Sequence, residues 1–414
     1  MESKCSPIRK LPSGWEVKKI KQCFKFKNGK GFSGDLKEKA DNEYRYPVYG
    51  GNGTIGYCNT PLLNNATIIV GRVGEYCGNV FKTQEKSWVT DNAMLVSEVL
   101  LKDFDINFWT VMLNSLHFNH YSDSTGQPKI TQGGIGAITM AYPKSAAEQT
   151  AIANILSKVD VAITSVQNSI NAAERLKKSL MQNLLTGKMK PDGTIRTPEE
   201  FYIDEKFGKV PVGWEVKKVK DFGEVLTGKT PPTDEPEVFS DKENGYMFIT
   251  PGDLDTAKYI EETERYVSEK GLKYSYLIPK NSVCEVCIGS TIGKIGITTK
   301  DCCTNQQLTS VIVNEYHDAE FFYYAMLFRR EHFKSVAGIN ATPQINKSGY
   351  SKYRVLCPKD KREQVAIAQK ISSIDKDINK QEQKVRVLEQ LKKSLMQNLL
   401  TGKVRINEIM TEDK

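Results

Sequence analysis

Two stretches of the chain carry a long, uninterrupted stripe of apolar residues at helical spacing. From Ala146 to Leu185 no Gly or Pro intervenes, and apolar side chains fall at Ile152, Leu156, Val159, Ile163, Val166, Ile170, Ala173, Leu176, Leu180 and Leu184. Their steps of three and four describe a heptad seam with one irregularity near Ala173. A second seam runs through Ile367, Ile371, Ile374, Ile378, Gln381, Val385, Leu388, Leu391, Leu395 and Leu399. Thr186-Gly187-Lys188 and Thr401-Gly402-Lys403 supply the glycine stops. Each predicted helix has about 40 residues and a length of ~60 Å. A lone seam of that length needs a partner helix, and the nearest candidate is the other seam. Gln381 stands where the first seam has Val166. It either fixes register or marks an exposed position that tolerates a polar residue.

Elsewhere the period shortens. Residues 20–140 and 220–355 are rich in Gly, Asn, Thr, Tyr and short β-branched runs. Tyr46–Tyr49, Thr67–Val70, Ser282–Ile288 and Leu308–Val313 are predicted as strands, with helical patches at 105–118 and 319–334. Each insert is expected to be a small α+β domain.

The chain is also an internal duplication. Residues 176–188 read LKKSLMQNLLTGK and residues 391–403 repeat it at every position, an offset of 215 (391 minus 176). At the same offset Glu148, Gln149, Ala151, Ile152 and Ala153 match Glu363, Gln364, Ala366, Ile367 and Ala368. So do Pro128, Ile130 and Phe118 with Pro343, Ile345 and Phe333. The openings Gly14-Trp15-Glu16-Val17-Lys18-Lys19 and Gly213-Trp214-Glu215-Val216-Lys217-Lys218 lie 199 apart, so the second copy gained 16 residues (215 minus 199) before its middle. Scaffold sequences agree between the copies and the inserts barely do. A two-fold duplication, not a solenoid, follows.

Composition changes this picture little. Hydrophobic residues at 39% and charged residues at 26% are ordinary for a globular chain. No run reaches the ~18 apolar residues of a membrane span, and the opening Met1 to Cys5 has no apolar signal region, so a cytoplasmic protein without a membrane partner is expected. Nine cysteines at irregular spacing suit a reducing compartment. A balance of 58 Lys+Arg against 50 Asp+Glu, a net charge of +8, admits a nucleic-acid partner without requiring one.

The pieces LPSGWEVKKI and VPVGWEVKKV, YPVYGGNGTIGY, STGQPKIT, CIGSTIGKIG, both EQxAIA helix starts and both LKKSLMQNLLTGK helix ends have a family likeness. In these pieces and their order the chain resembles the specificity (S) subunit of Type I restriction–modification systems over nearly its whole length. The resemblance implies two similar target recognition domains, each a β core with flanking helices, reading the halves of a bipartite asymmetric site on double-stranded DNA. These alternate with two long helices, and an antiparallel coiled coil with pseudo-two-fold symmetry is expected because a dyad would match that of duplex DNA. The expected boundaries are 1–143 and 211–358 for the domains, 144–187 and 359–403 for the helices, 188–210 for a linker and 404–414 for a tail. The resemblance further implies that the helices set the spacer and dock two methylation subunits, joined by restriction subunits. The chain itself is then a non-catalytic member of a restriction endonuclease/adenine methyltransferase complex, with S-adenosylmethionine, ATP and Mg²⁺ on the partners and no cofactor of its own. The helix-end residues Leu180, Met181, Leu184, Leu185, Leu395, Met396, Leu399 and Leu400 are the expected docking side chains, and Lys177, Lys178, Lys392 and Lys393 an exposed or partner-facing row.

Several motifs invite other readings. Gly223 to Thr230 fits the phosphate-loop pattern GxxxxGK[ST], but Pro231-Pro232 follow where a helix must begin. Gly51 to Gly56 fits GxGxxG, but Tyr57-Cys58-Asn59-Thr60-Pro61 does not open a helix. Cys284, Cys287, Cys302 and Cys303 could be counted as zinc ligands, yet strand alternation sends the first pair to different faces and adjacent cysteines suit a tetrahedron poorly; no metal site is expected. Neither an [ND]PP[YF] tetrapeptide nor a PD…ExK arrangement marks a catalytic centre. For DNA contact, base edges favour Arg, Asn and Gln, and phosphates favour Lys and Arg. The candidates are Lys30, Asn52, Arg72, Asp91, Asn92, Gln127 and Lys129 in the first insert. In the second they are Lys229, Thr230, Ser290, Lys294, Gln306, Gln307, Gln344 and Lys347. The competing reading is a coiled-coil protein–protein adaptor without DNA specificity, which predicts no salt-dependent DNA affinity.

Overall fold

The computed structural model describes residues 11–122, 128–235, 237–338 and 343–406. It divides into two compact units, one of Met1–Gln167 with Gln383–Lys414 and one of Asn168–Glu382. Gln127 lies outside the described residues.

In chain order the first repeat runs β1 (Trp15–Lys19), α1 (Ile20–Cys23), β2 (Phe24–Asn28), β3 (Tyr46–Gly50), β4 (Gly53–Cys58), β5 (Ile68–Gly71), β6 (Val80–Lys82), β7 (Trp88–Val89), β8 (Ala93–Val99), α2 (Ile106–Ser115), α3 (Gln132–Gly136), β9 (Thr139–Pro143) and α4 (Ala146–Leu185). The second runs β10 (Phe201–Asp204), β11 (Gly208–Pro211), β12 (Trp214–Lys218), β13 (Gly223–Thr227), β14 (Phe239–Ser240), β15 (Tyr246–Ile249), β16 (Tyr259–Ile260), β17 (Arg265–Val267), β18 (Val283–Val286), β19 (Ile295–Thr298), β20 (Cys302–Thr304), β21 (Leu308–Val313), α5 (Ala319–Phe328), α6 (Arg330–Val336), α7 (Lys347–Lys352), β22 (Arg354–Pro358) and α8 (Lys361–Leu399).

Each domain is a mixed α/β body. The first has sheets of order β2-β8-β5-β6 and β4-β3-β7, the second β13-β21-β18-β19-β16 and β14-β17-β15-β20. The opening and closing strands of each repeat zip together: β1 with β9, in register Trp15 to Pro143, and β12 with β22, in register Trp214 to Pro358. Continuous apolar runs such as Ile68-Ile69-Val70 form buried central strands, as two-sided burial demands. Helix α2 starts at Asp105, whose carboxylate accepts from the Phe108 amide at 2.8 Å, and turns Phe108, Trp109, Met112 and Leu113 inward. Asp318 does the same for α5 through Phe321.

The repeated Glu-Gln pair is explained by packing. Buried Gln149 accepts from the Asp105 amide at 2.9 Å and donates to Pro143 O at 2.9 Å. Buried Gln364 makes the equivalent bonds to Asp318 and Pro358. Glu148 accepts from the Trp15 indole at 3.2 Å and bidentately from Arg405. Glu363 accepts from Trp214 at 3.1 Å and from Arg196 at 2.5 Å.

The helix ends depart from expectation. Leu399 and Leu400 are buried in the first unit's core with Trp15, Phe24, Trp109, Ile152 and Leu156, and Leu395 and Met396 pack against it. Met181, Leu184 and Leu185 are buried in the second unit's core with Trp214, Phe222, Phe321, Ile367 and Ile371, with Leu180 packed alongside. The five buried residues are thereby taken up by domain cores, and Leu180, Leu395 and Met396 keep only part of their surface: the ends of the heptad stripes close domain cores, and period alone cannot tell a domain from a partner. Gly187 and Gly402, at φ +67° and +68°, complete the fit, since a Cβ there would run into Pro211 and Pro12 respectively. Within the seams Val166, Ile170 and Ile378 are buried, while Val159, Ile163, Ile374, Gln381 and Val385 are half-buried. Leu176 and Leu391 leave the seam altogether, 53% and 46% exposed. Lys177 and Lys392 are not free surface lysines: Lys177 pairs with Asp375 at 2.5 Å in the second unit, Lys392 with Asp160 at 2.6 Å in the first. The stretch expected as a linker is folded, with β10 and β11 as a hairpin and Met189 bridged to Ile195.

Candidate functional site

One rim of loops on each domain gathers most of the polar candidates, and it is built by backbone geometry. In the first domain β2 gives way to Gly29, where a Cβ would run into Thr90 O and Val89 O. Lys30 then donates its amide to Val89 O at 2.9 Å, and its carbonyl accepts from the Trp88 indole at 2.9 Å. Beside it, Gly71 passes so close to Gly51 that only glycine fits. The Arg72 amide donates to Asn92 O at 2.9 Å, its guanidinium reaches Asp91 O at 3.5 Å, and the Asn79 amide group donates to Asn52 at 3.3 Å. The loop after β5 is pinned to the segment before α3: Ile130 N donates to Arg72 O at 2.8 Å and Gly74 N to Pro128 O at 3.0 Å, with Val73 bridged to Lys129. Lys30, Asn52, Asp91, Asn92 and Lys129 are exposed along this rim and Arg72 is half-buried.

The second domain repeats the frame at the same 215-residue offset. Ile345 N donates to Cys287 O at 2.8 Å, Gly289 N to Pro343 O at 2.9 Å, and Ile288 is bridged to Gln344. Gly228 packs on Thr304 and Asn305 as Gly29 packs on Val89 and Thr90. That close approach, rather than phosphate, accounts for the glycine of the GxxxxGK[ST] match. The turn at Gly53, φ +92°, joins β3 to β4 and accounts for the GxGxxG match. The frame is common, but the side chains on it differ: Arg72 against Cys287, Lys129 against Gln344.

In the second rim Lys229 lies 4.5 Å over the Tyr276 ring, and Thr230 hydrogen-bonds Gln306. Ser290, Gln306, Gln344 and Lys347 are exposed. Lys229, and behind it Lys347, hold the Tyr276 hydroxyl below its ordinary value by favouring the phenolate. Two candidates are committed internally instead. Gln307 is tied at both ends, receiving from Asn305 at 3.1 Å and donating to Ile288 O at 3.4 Å. Lys294 is half-buried and donates to Pro251 O at 3.3 Å. Both brace the loop rather than present a free side chain.

Sequence reasoning passed over Asn28, Asn79 and Gln132, though Gln132 donates to Asn28 at 3.2 Å on the first rim. It also missed Ser275 and Tyr276, with Ser275 donating to Lys229 O at 2.9 Å. The latter two lie in the stretch that the second copy lengthened. Parallel pairing sets β3 against β7 (Val48 to Trp88) and β15 against β20 (Phe248 to Cys303), so the offset is 200 at β15 and 215 at β20. The glycine-rich loops after β5 and β18 already stand at 215, which places 15 of the 16 extra residues (215 minus 200) between β15 and β18. The described cysteines are interior: Cys284 and Cys287 lie on or at the end of β18, and burial pushes the Cys284 thiol up to about 12. Among the described residues no group of three or more His, Cys, Asp or Glu could hold a metal ion, and no helix is long and apolar enough to cross a membrane.

Comparison with known proteins gives one family. Its description, Type I restriction modification DNA specificity domain, matches residues 12–175 and again 211–390. The HindI specificity subunit of Haemophilus influenzae, a Type I restriction enzyme component, is 31% identical over 202 residues, which are 47% of this chain and 42% of the relative; the chain aligns with less than half of that relative's length. The MjaVIII specificity subunit of Methanocaldococcus jannaschii is 24% identical over 97% of this chain and 95% of its own. The fold is that of the Type I S subunit from M. genitalium, with a TM-score of 0.64 at 16% identity over 96% of this chain and 99% of that one.

Proposed function

The chain belongs to the Type I restriction modification DNA specificity family, and we propose that it is the DNA-reading subunit of such a complex, each domain's rim binding one half of a bipartite asymmetric site. The observation that carries the reading is the shared frame: identical backbone bonds at a fixed offset present different polar side chains. Two unlike half-sites require that combination, because a groove of constant shape wants a constant scaffold while base edges want varied donors and acceptors.

The long helices pair antiparallel in a coiled coil of pseudo-two-fold symmetry and set the spacer. Support comes from the ion pairs: a shift of 215 residues carries Asp160 to Asp375 and Lys177 to Lys392, so the bond within one unit is the counterpart of the bond within the other. Leu176 and Leu391, exposed at equivalent positions, give two methylation subunits equivalent apolar contacts. Restriction subunits join that assembly. The chain is non-catalytic, and S-adenosylmethionine, ATP and Mg²⁺ belong to the partners. Methylome sequencing of cells carrying this chain and its methylating partner tests the reading. A bipartite methylated motif is expected, and exchange of residues 20–140 for those of a relative should change one half only. A contiguous motif, or a motif indifferent to the exchange, overturns it.

A further inference from the structure

Beneath the second rim lies a carboxylic acid that no DNA contact explains. Glu285, on β18 one strand-step from the loop 287–294, is 1% exposed. Its Oε2 accepts from the Tyr350 hydroxyl at 3.1 Å, and Oε1 is buried without a partner among the described residues. A second buried polar atom has none either, the Arg330 Nε. Orphaned buried groups are rare and cost enough to call for a reason. The Arg330 guanidinium is held elsewhere, donating from Nη2 to Asp255 Oδ1 at 2.7 Å, and the same oxygen accepts from the Ile295 amide at 3.3 Å. Arg330 also supports the loop from below: a Cβ at Gly293, φ +86°, would lie 3.1 Å from its Cγ.

The 215-residue offset makes the cluster a property of one domain. Glu285 and Tyr350 stand where the first domain has Val70 and Ile135, both buried in its apolar core. The loop frame above needs neither polar group, since the first domain builds it without them.

We propose that Glu285 is a proton-linked positioning residue of the second reader: neutral, it leaves Arg330 on Asp255 and the loop 287–294 in place; ionised, it draws Arg330 away and loosens that loop. A carboxylate Oε1 demands a donor, and among the described residues of this domain Arg330 Nε is the buried donor left over. Moving the guanidinium breaks the Asp255 bond and shifts the side chain on which Gly293 rests. The charged and titratable groups around Glu285 are Arg330 from α6, Asp255 from the turn before β16, Tyr350 and Tyr353 from the α7 segment and Cys287 beyond its own strand. Of these Arg330 alone favours the carboxylate by its charge, and Asp255 opposes it. Burial dominates and pushes Glu285 up to about 8, so the acid is neutral below that pH and the loop loosens above it.

The inference rests on the second rim reading DNA, and its test separates the two. Hydrogen exchange of the loop 287–294 is compared between the full chain and Glu285→Gln, which mimics the neutral acid, at matched pH without DNA. Binding of both proteins is then measured on a duplex carrying the methylated motif and on duplexes keeping only one half of it. Expected are faster loop exchange in the native chain than in Glu285→Gln above pH 8, and affinity for the second domain's half falling by up to about tenfold per pH unit in the native chain alone. The first domain's half should show no difference between the two proteins. Equal loop exchange at every pH overturns the inference whatever DNA does. A loop that loosens while neither protein discriminates half-sites overturns instead the DNA reading beneath it. Should Glu285→Gln fold poorly, Tyr350→Phe with Glu285 intact leaves the carboxyl without its hydrogen bond and should move the onset of loosening to higher pH; an unmoved onset counts against the switch.

Discussion

Truncating Glu148 should unfasten the first domain from the helix that closes it. Its Oε1 accepts from the Trp15 indole at 3.2 Å and from Arg405 Nε at 2.8 Å, and its Oε2 accepts from Arg405 Nη2 at 2.9 Å. The side chains of Arg405 and Glu148 are only 22% and 14% exposed. Glu148→Ala removes three accepted bonds at once and leaves a guanidinium with little water to replace them. Breaking a fully buried pair costs about 3–5 kcal/mol; the remaining exposure lets Arg405 recover some hydration, so about 2–3 kcal/mol is expected. Arg405→Ala should cost a similar amount, because Ser13 O loses its donor too. The double variant should fall short of the sum by about 1–2 kcal/mol. A chain of two units does not unfold in two states, so the assay is hydrogen exchange resolved by segment. Protection should fall across β1, β9 and the start of α4, while β12 and β22 keep theirs. Glu98→Ala is the control, since its bond to Lys25 joins side chains 53% and 60% exposed and is expected to be worth under about 1 kcal/mol. If Glu148→Ala loses no more protection than Glu98→Ala, the clasp is not what holds this domain shut.

The mirror variant Glu363→Ala should spare β1 and β9 and loosen β12 and β22 instead, by about 2–3 kcal/mol, because Arg196 and Trp214 are its partners. Reversing one ion pair of the helices, Lys392→Glu, should cost about 1 kcal/mol of local hydrogen-exchange protection, and adding Asp160→Lys should restore most of it. Lys229→Ala should weaken binding to all duplexes alike and lower the salt slope by about 1 if it meets a phosphate, as its place over Tyr276 favours; a changed methylated motif would assign it to a base instead. Leu176→Asp with Leu391→Asp should abolish co-purification of methylation subunits with melting unchanged, since both residues are exposed.

Long-range order in this chain was legible because duplication wrote it twice. The helix Ala146–Leu185 starts and stops where Gly, Pro and heptad spacing predict, and the strands at 46–50, 68–71 and 308–313 follow their β-branched runs. The class of residue on the rims was legible too, because loops rich in Gly, Asn and Lys between strands have few other places to go. What failed did so for a common reason. Leu184 and Leu399 look like any other seam position, and only the folded chain, with the glycine that follows each packed on a proline outside its helix, reveals that they enter a domain core. Gln307 and Lys294 look like free polar side chains, and the carbonyls they reach, Ile288 O and Pro251 O, carry no side-chain signature. Tyr276 was hidden because it sits in the extra stretch of the second copy, where comparison with the first offers nothing.

The contrast between Val70 and Glu285 shows why such a scaffold can vary its readers. The bonds that fix each rim run between backbone atoms, Ile130 to Arg72 and Ile345 to Cys287, and survive a change of nearly every side chain above or below them. On the rims glycine is indispensable where two backbones touch, as at Gly29 and Gly228. Side chains are thereby released from holding the loop and are free to differ toward whatever the loop meets. The same release acts inward, where an apolar valine in one copy and an ionisable glutamate in the other sit under the same frame. A frame that tolerates both can add a response to protons to one reader without disturbing the other, which is the asymmetry that the half-site measurements would expose.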